Sequence, residues 1–212
     1  MKNFRTFLAI IVISCIVCLT GCSSDDDLNP IIGTWSNSYD DGNCIESADL
    51  IISEDGSFDI SEYSNCEIGG DSEVDASGTW EIANGLLYIY LTYSSDLEEI
   101  PTGVEIPLYY FITSTGKLSI TDEEDIYERD GSGTGIVGAW FQENGECDLA
   151  LTIYANGTYD YEDCEEESEG TFVTSGDRMT IDVGTEDEEV KYFKVFGNYV
   201  VITDTESLFT RQ

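Results

Sequence analysis

"LIISEDGSFDI" at 50–60 returns as "LTIYANGTYDY" at 151–161. In both stretches apolar and polar residues alternate on either side of an Asp-Gly or Asn-Gly pair, the pattern of a β-hairpin with one face buried. The flanking segments recur in the same order. "IIGTW" at 31–35 returns as "IVGAW" at 136–140, and "GTWEI" at 78–82 as "GTFVT" at 170–174. "YYFITSTGKLSITDEEDIYERD" at 109–130 lines up with "KYFKVFGNYVVITDTESLFTRQ" at 191–212, sharing Ile-Thr-Asp and a late arginine. Four matched blocks in one order indicate an internal duplication of a β unit.

Period-two alternation runs through both copies. Leu87, Ile89 and Leu91 share a face, as do Leu118 and Ile120, Leu149, Leu151 and Ile153, and Met179, Ile181 and Val183. Turn signals at Asn84-Gly85, Thr115-Gly116 and Gly197-Asn198 separate the runs. The reading is all-β, with two tandem small up-and-down antiparallel barrels of about eight short strands each. Residues 31–129 are assigned to the first domain, 130–135 ("DGSGTG") to a linker and 136–212 to the second.

The N-terminus reads as an export signal. Lys2 and Arg5 precede the apolar "FLAIIVISCIVCL" at 7–19, a run too short for a membrane span of about 20 residues. Leu19-Thr20-Gly21-Cys22 resembles the lipobox of bacterial lipoproteins. The resemblance implies cleavage after residue 21, acylation of Cys22 with palmitate-type chains, and a tether over 22–30. Asp25, Asp26 and Asp27 resemble the signal that exports such lipoproteins to the outer face of the outer membrane. The expected location is therefore the cell surface, lipid-anchored, with the membrane as a partner.

Of the seven cysteines, Cys15 and Cys18 leave with the leader and Cys22 takes the lipid. Cys44 and Cys66 flank the first Asp-Gly turn as Cys147 and Cys164 flank the Asn-Gly turn of the second copy. Four cysteines permit three pairings, and the repeat selects Cys44–Cys66 and Cys147–Cys164, in keeping with an oxidising compartment.

Gly33-Thr34-Trp35 and Gly138-Ala139-Trp140 resemble the Gly-x-Trp signature of the lipocalin superfamily. The resemblance implies up-and-down barrels in which Trp35 and Trp140 close the bases, each under a late arginine, Arg129 in the first copy and Arg211 in the second. Strands of about five or six residues make barrels that their own side chains can fill.

Forty-four acidic residues against eight basic ones give a net charge of −36, a field that repels nucleic acid. The chain has no histidine, so Ser-His-Asp and Cys-His catalysis are ruled out, and the expectation is a protein without enzymatic activity or resident cofactor. Acidic runs at 122–125, 162–169 and 186–189 imply at most weak calcium binding, since no D-x-D-x-D-G loop is present. Tyr88 and Tyr90 project opposite to Leu87 and Leu91. With "YYFI" at 109–112 they either contact a ligand or pack the repeats together. The function expected is a surface binding or interaction module for a small molecule, glycan or protein. A carrier of an apolar ligand in the first domain requires a cavity under Leu87–Tyr93 and Val104–Thr113, and a glycan-binding accessory protein requires exposed tyrosines.

Overall fold

The alternation seen in the sequence becomes antiparallel strands throughout the computed structural model, which describes residues 29–40, 42–66, 70–96, 102–122, 126–142, 148–164 and 167–212. The first eight strands are β1 (Gly33–Asp40), β2 (Cys44–Ile52), β3 (Ser57–Cys66), β4 (Gly70–Ala83), β5 (Leu86–Ser94), β6 (Glu105–Ile112), β7 (Leu118–Thr121) and β8 (Ile126–Asp130). The second set is β9 (Gly138–Gln142), β10 (Leu149–Ile153), β11 (Thr158–Glu162), β12 (Glu167–Ser175), β13 (Arg178–Ile181), β14 (Glu189–Phe196), β15 (Tyr199–Asp204) and β16 (Thr210–Arg211). Asp55 and Asn156 set the matched β2–β3 and β10–β11 turns in the same way. Each accepts hydrogen bonds from the backbone N–H and hydroxyl of the residue two positions on, Ser57 or Thr158.

The strands form two eight-stranded antiparallel sheets, but their membership corrects the assignment made from the repeats. The closed second barrel has the order β10-β11-β12-β13-β14-β15-β8-β9, and the first sheet runs β16-β1-β2-β3-β4-β5-β6-β7. The last strand of each sequence copy thus belongs to the other copy's barrel. In β8, Arg129 pairs with Trp140 and Val200 with Tyr127. In β16, Arg211 pairs with Trp35, and Phe209 bridges Leu118 to bring the ends of the first sheet together. Residues 130–135, read as an interdomain linker, instead comprise the end of β8, Asp130, and part of the β8–β9 hairpin loop inside the second barrel. The physical reason is loop closure. A short connection pairs its flanking strands at low entropic cost, so β8 zips onto β9 rather than returning to β1.

Each barrel has its own core. Ile31, Trp35, Ile52, Phe58, Leu87 and Leu118 anchor the first, and Trp140, Ile153, Phe172, Met179 and Val200 the second. A third cluster joins outward-facing residues of the two barrels: Phe111, Ile126, Tyr192, Val201 and Leu208, with Tyr109 and Phe196 packed against them. The Tyr109 ring meets Phe196 edge-on at 5.6 Å, so this tyrosine packs the barrels together. The fully buried Ser119 exchanges a 2.8 Å hydrogen bond with Thr203 in the same layer. Ile126 and Leu208, at matching places in the repeat, both enter it, because each lies on or just before an exchanged strand with its neighbour, Tyr127 or Phe209, facing a bore.

The base of each barrel is a tryptophan clamp. Trp35 and Trp140 are both 1% exposed, and their indole N–H groups donate to Ile31 O and Ile136 O at 2.7 Å. Here too the exchange corrects the expected partners. Arg129 lies 3.9 Å over Trp140 and Arg211 4.8 Å over Trp35. Arg129 also donates to the Val137 and Gly135 carbonyls, and Arg211 to Ile32 O. Gly33 and Gly138 have φ of 147° and 149°; a Cβ at Gly138 would overlap the Arg129 guanidinium, and one at Gly33 would crowd that of Arg211. The glycine of each Gly-x-Trp is therefore required by its backbone angle, and Gly138 also by the arginine above it.

Cys44 and Cys66 stand opposite each other in the β2–β3 ladder and form a disulfide. Closing a loop of 22 residues in sequence stabilises by about 3 kcal/mol through the unfolded chain. Cys164 is also disulfide-bonded, while Cys147, its expected partner, lies outside the described residues.

Candidate functional site: two unlike bores

Parity along β2 to β7 directs apolar side chains into the first barrel: Leu50 and Ile52, Phe58 and Ile60, Val74 and Ala76, Leu87, Ile89 and Leu91, Val104, Ile106 and Leu108, and Ile120. They surround a cavity of about 700 Å³, with Trp80 and Phe209 also in its wall. Glu62, Thr121 and Asp122 supply its polar groups.

One irregularity keeps this bore open. β4 and β5 shift register between Ser77 and Gly78, so that Gly78 pairs with Leu91 and Ser77 with Tyr93. The extra residue, Thr92, reverses the side-chain alternation. Tyr93 is turned out to 54% exposure and the small Ser94 is buried at 6%. Without the bulge the Tyr93 ring would follow Leu87, Ile89 and Leu91 into the mouth. Gly78 contributes as well, since a Cβ there would overlap Tyr90 O and touch Phe58.

The second bore, of about 480 Å³, is built differently. Tyr159, paired across from Gly170, donates its hydroxyl to Asp182 at 3.1 Å. Burial, then the Asp182 contact, raises the Tyr159 hydroxyl to a pKa of about 12. Asp182 has a φ of 52°, an uncommon angle for a residue other than glycine, and also accepts from Thr171 N at 3.0 Å. Lys191 reaches Asp204 at 2.5 Å and Glu189 at 3.2 Å. Burial lowers the Lys191 pKa, but Asp204 and then Glu189 outweigh that effect and hold the ammonium above its ordinary value. Tyr161, Asp187 and Ile202 complete a wall of mixed character.

Tyr88 and Tyr90 lie on the outside of the first barrel, beside a shallow depression of about 210 Å³ shared with Thr79, Glu81 and Glu105. Tyr90 is 44% exposed and Tyr88 half-buried, so neither contacts the bore. Cys22, Asp25, Asp26 and Asp27 lie outside the described residues, as do 123–125 and 165–166 of the acidic runs. Among the described residues, Cys44, Glu46 and Cys66 bring ligand-type atoms close together, but the two sulfurs are already bonded to each other. The signal that the sequence reading missed is the offset between Leu91 and Ser94: a bulge leaves no mark in composition, and only the pairing with β4 exposes it.

Fold and site together define a pair of end-exchanged antiparallel barrels, one with an apolar bore and one with a polar, ion-paired bore. No protein-family model, curated protein or solved structure matches the chain.

Proposed function

We propose that this chain is a non-enzymatic lipoprotein of the outer cell surface whose first barrel carries a small apolar ligand. One observation supports the carrier reading above the others open to the sequence: the apolar cavity of about 700 Å³ bounded by Leu87, Leu91, Val104 and Leu108. It falls within the range of about 300–1,000 Å³ common to small-molecule sites and occupies the strands that a carrier requires. Acylation of Cys22 and export directed by Asp25, Asp26 and Asp27 would place the barrels outside the outer membrane, with the lipid as anchor.

The test uses N-phenyl-1-naphthylamine, a neutral apolar dye, with Trp80 in the bore wall as energy donor. Saturable transfer at one dye per chain, lost in Ala76→Phe because the new ring occupies the cavity, supports the reading. Absence of uptake by a folded protein removes it. Mass measurement of the membrane-extracted protein tests the anchor: an N-terminal diacylated or triacylated Cys22 is expected, and an intact leader overturns it.

A second reading, glycan contact on the outer face, rests on Tyr90 and Tyr93 at 44% and 54% exposure. It requires glycan binding that Tyr90→Ala and Tyr93→Ala abolish without altering dye uptake.

A further inference from the structure

Successive rungs of the β1–β4 ladders point into the first bore, and their chemistry changes with height. Trp35, Leu50, Ile60 and Ala76 pair across the four strands and make an apolar rung in which Trp35, Leu50 and Ala76 are buried. The next rung outward, Asn37, Ala48, Glu62 and Val74, is mixed. The one beyond it, Tyr39, Glu46, Ser64 and Ser72, is polar. The pairings run through these residues without a shift, so each rung presents the same face to the bore.

The upper rungs line a second cavity, of about 550 Å³, which shares Glu62 and Val74 with the apolar cavity of about 700 Å³. The two therefore adjoin at the mixed rung. Asn37 Nδ2 donates to Glu206 O at 2.6 Å and Leu208 O at 3.2 Å, which seats Glu206 and Ser207 as a side wall of this mouth. Ser64 Oγ lies 3.3 Å from Cys66 Sγ, and one rung further out the Cys44–Cys66 bridge ties β2 to β3. The duplication shows that the mouth is an addition to the frame. β2, β3 and β4 run 9, 10 and 14 residues, against 5, 5 and 9 for β10, β11 and β12, and the second barrel closes with the shorter set.

We infer that the first bore takes an amphiphile with an uncharged, hydroxyl-rich head, of the kind a glycosylated alkyl chain presents. The tail packs among Ile52, Phe58, Leu87 and Ile106, and the head sits in the mouth among Tyr39, Glu46, Ser64 and Ser72. This rests on the carrier reading above and sharpens it. Residues opposite each other on a ladder stand about 5 Å apart, and successive inward residues about 7 Å apart along a strand, so one sugar ring reaches groups on neighbouring rungs and strands. Those groups are phenol, hydroxyl, amide and carboxylate, each able to exchange hydrogen bonds with a ligand hydroxyl. An array spread over four strands suits several hydroxyls rather than one point charge. None of the described residues lining either cavity is lysine or arginine, so an anionic head would meet Glu46, Glu62 and Glu206 with no cation in the wall to offset them.

The experiment compares four competitors of the neutral dye with equal tails, decyl β-glucoside, decanol, decylamine and decanoate, each below its micelle concentration. The protein is the mature chain from residue 23, which keeps the compact unit Ile31–Gln212 whole and carries no acyl group to compete for the bore. The glucoside should bind at least about tenfold tighter than decanol, the gain from a few added hydrogen bonds, and decanoate should bind weakest. The Glu46→Ala/Ser72→Ala double variant, altered only at exposed positions, should bind decanol as before and lose most of the glucoside's advantage. Equal binding of glucoside and decanol, tightest binding of decylamine or decanoate, no competition by any of the four, or an advantage unchanged in the variant overturns the head-group assignment, while dye uptake keeps the carrier reading intact. Failure of all four together with failure of the dye overturns both.

Discussion

The two barrels come from one repeated sequence and share strand order, base clamp and hairpin chemistry, yet one encloses an apolar cavity and the other a bore crossed by hydrogen bonds and ion pairs. A few substitutions account for the divergence. Where the second barrel has Tyr159 bonded to Asp182, the first has Phe58 in the matching place, with no hydroxyl to satisfy. Where the second has Lys191 facing Asp204 in the β14–β15 ladder, the β6–β7 register, shifted by one residue from the sequence match, brings Leu108 to that place in the first. Each change removes a polar group that would otherwise need a buried partner, and together they leave a largely apolar wall. The bulge at Thr92 then turns Tyr93 outward. The scaffold is set by the clamps and hairpins, which both copies retain, while the contents of the bore vary with little consequence for the frame.

The largest effects should come from the shared elements. Trp35→Ala and Trp140→Ala each empty a base that is 1% exposed and should cost about 3–5 kcal/mol, measured by denaturant unfolding. Similar losses for the two would show that the clamps are equivalent; a much smaller loss for Trp35 would mean that the first barrel is held mainly elsewhere. Replacing Cys44 and Cys66 by Ala should cost about 3 kcal/mol and, by hydrogen exchange, loosen β2 and β3 first.

The strand exchange gives a sharper test. Arg129→Ala removes a buried cation from over Trp140, worth about 2 kcal/mol, and Arg211→Ala an exposed one from over Trp35, worth about 0.5–1 kcal/mol. Hydrogen exchange should increase around β9 for Arg129→Ala and around β1 for Arg211→Ala. The opposite assignment would contradict the observed topology. Lys191→Leu should make the second bore resemble the first. A cost of about 1 kcal/mol is expected for a partly exposed pair, with a second dye site appearing; unchanged stoichiometry would show that the Tyr159–Asp182 bond alone keeps that bore closed.

Alkaline pH should separate the barrels by a smaller margin. Tyr159 is raised to about 12 by burial and Asp182, and Lys191 is raised by its carboxylates against the effect of burial. For both groups the folded state binds the proton more tightly than the unfolded state. Their stabilisation is therefore complete below the unfolded values, about 10 for each, and is lost as pH climbs through the higher folded values. Unfolding midpoints should fall between about pH 10 and 12, and Tyr159→Phe should remove one late-titrating phenol from the absorbance titration. Burial also raises Tyr110, and the Asp160 hydrogen bond Tyr154, so the assignment to Tyr159 fails if the number of late phenols is unchanged in that variant.

Much of this was legible in the chain. The Asp-Gly and Asn-Gly turns, the alternation in "LLYIYL" and the four matched blocks determine an all-β duplication, because strand period and turn chemistry are local properties of sequence. The Cys44–Cys66 bridge followed from the same repeat, since a hairpin fixes which residues face each other. Trp35, Trp140, Arg129 and Arg211 were also recognisable as base residues.

Their partnership was not, and neither was the membership of β8 and β16. Sequence order favours each copy closing on itself. Only the tertiary structure decides that the short 130–135 loop pairs β8 with β9, leaving the first barrel to be completed by the end of the chain. The openness of the first bore is likewise a tertiary outcome, set by one bulged residue in the β4–β5 ladder and by the β6–β7 register that directs Leu108 into it. Composition and periodicity specify which faces are apolar, but whether facing side chains meet or leave room depends on register, and register exists only between strands.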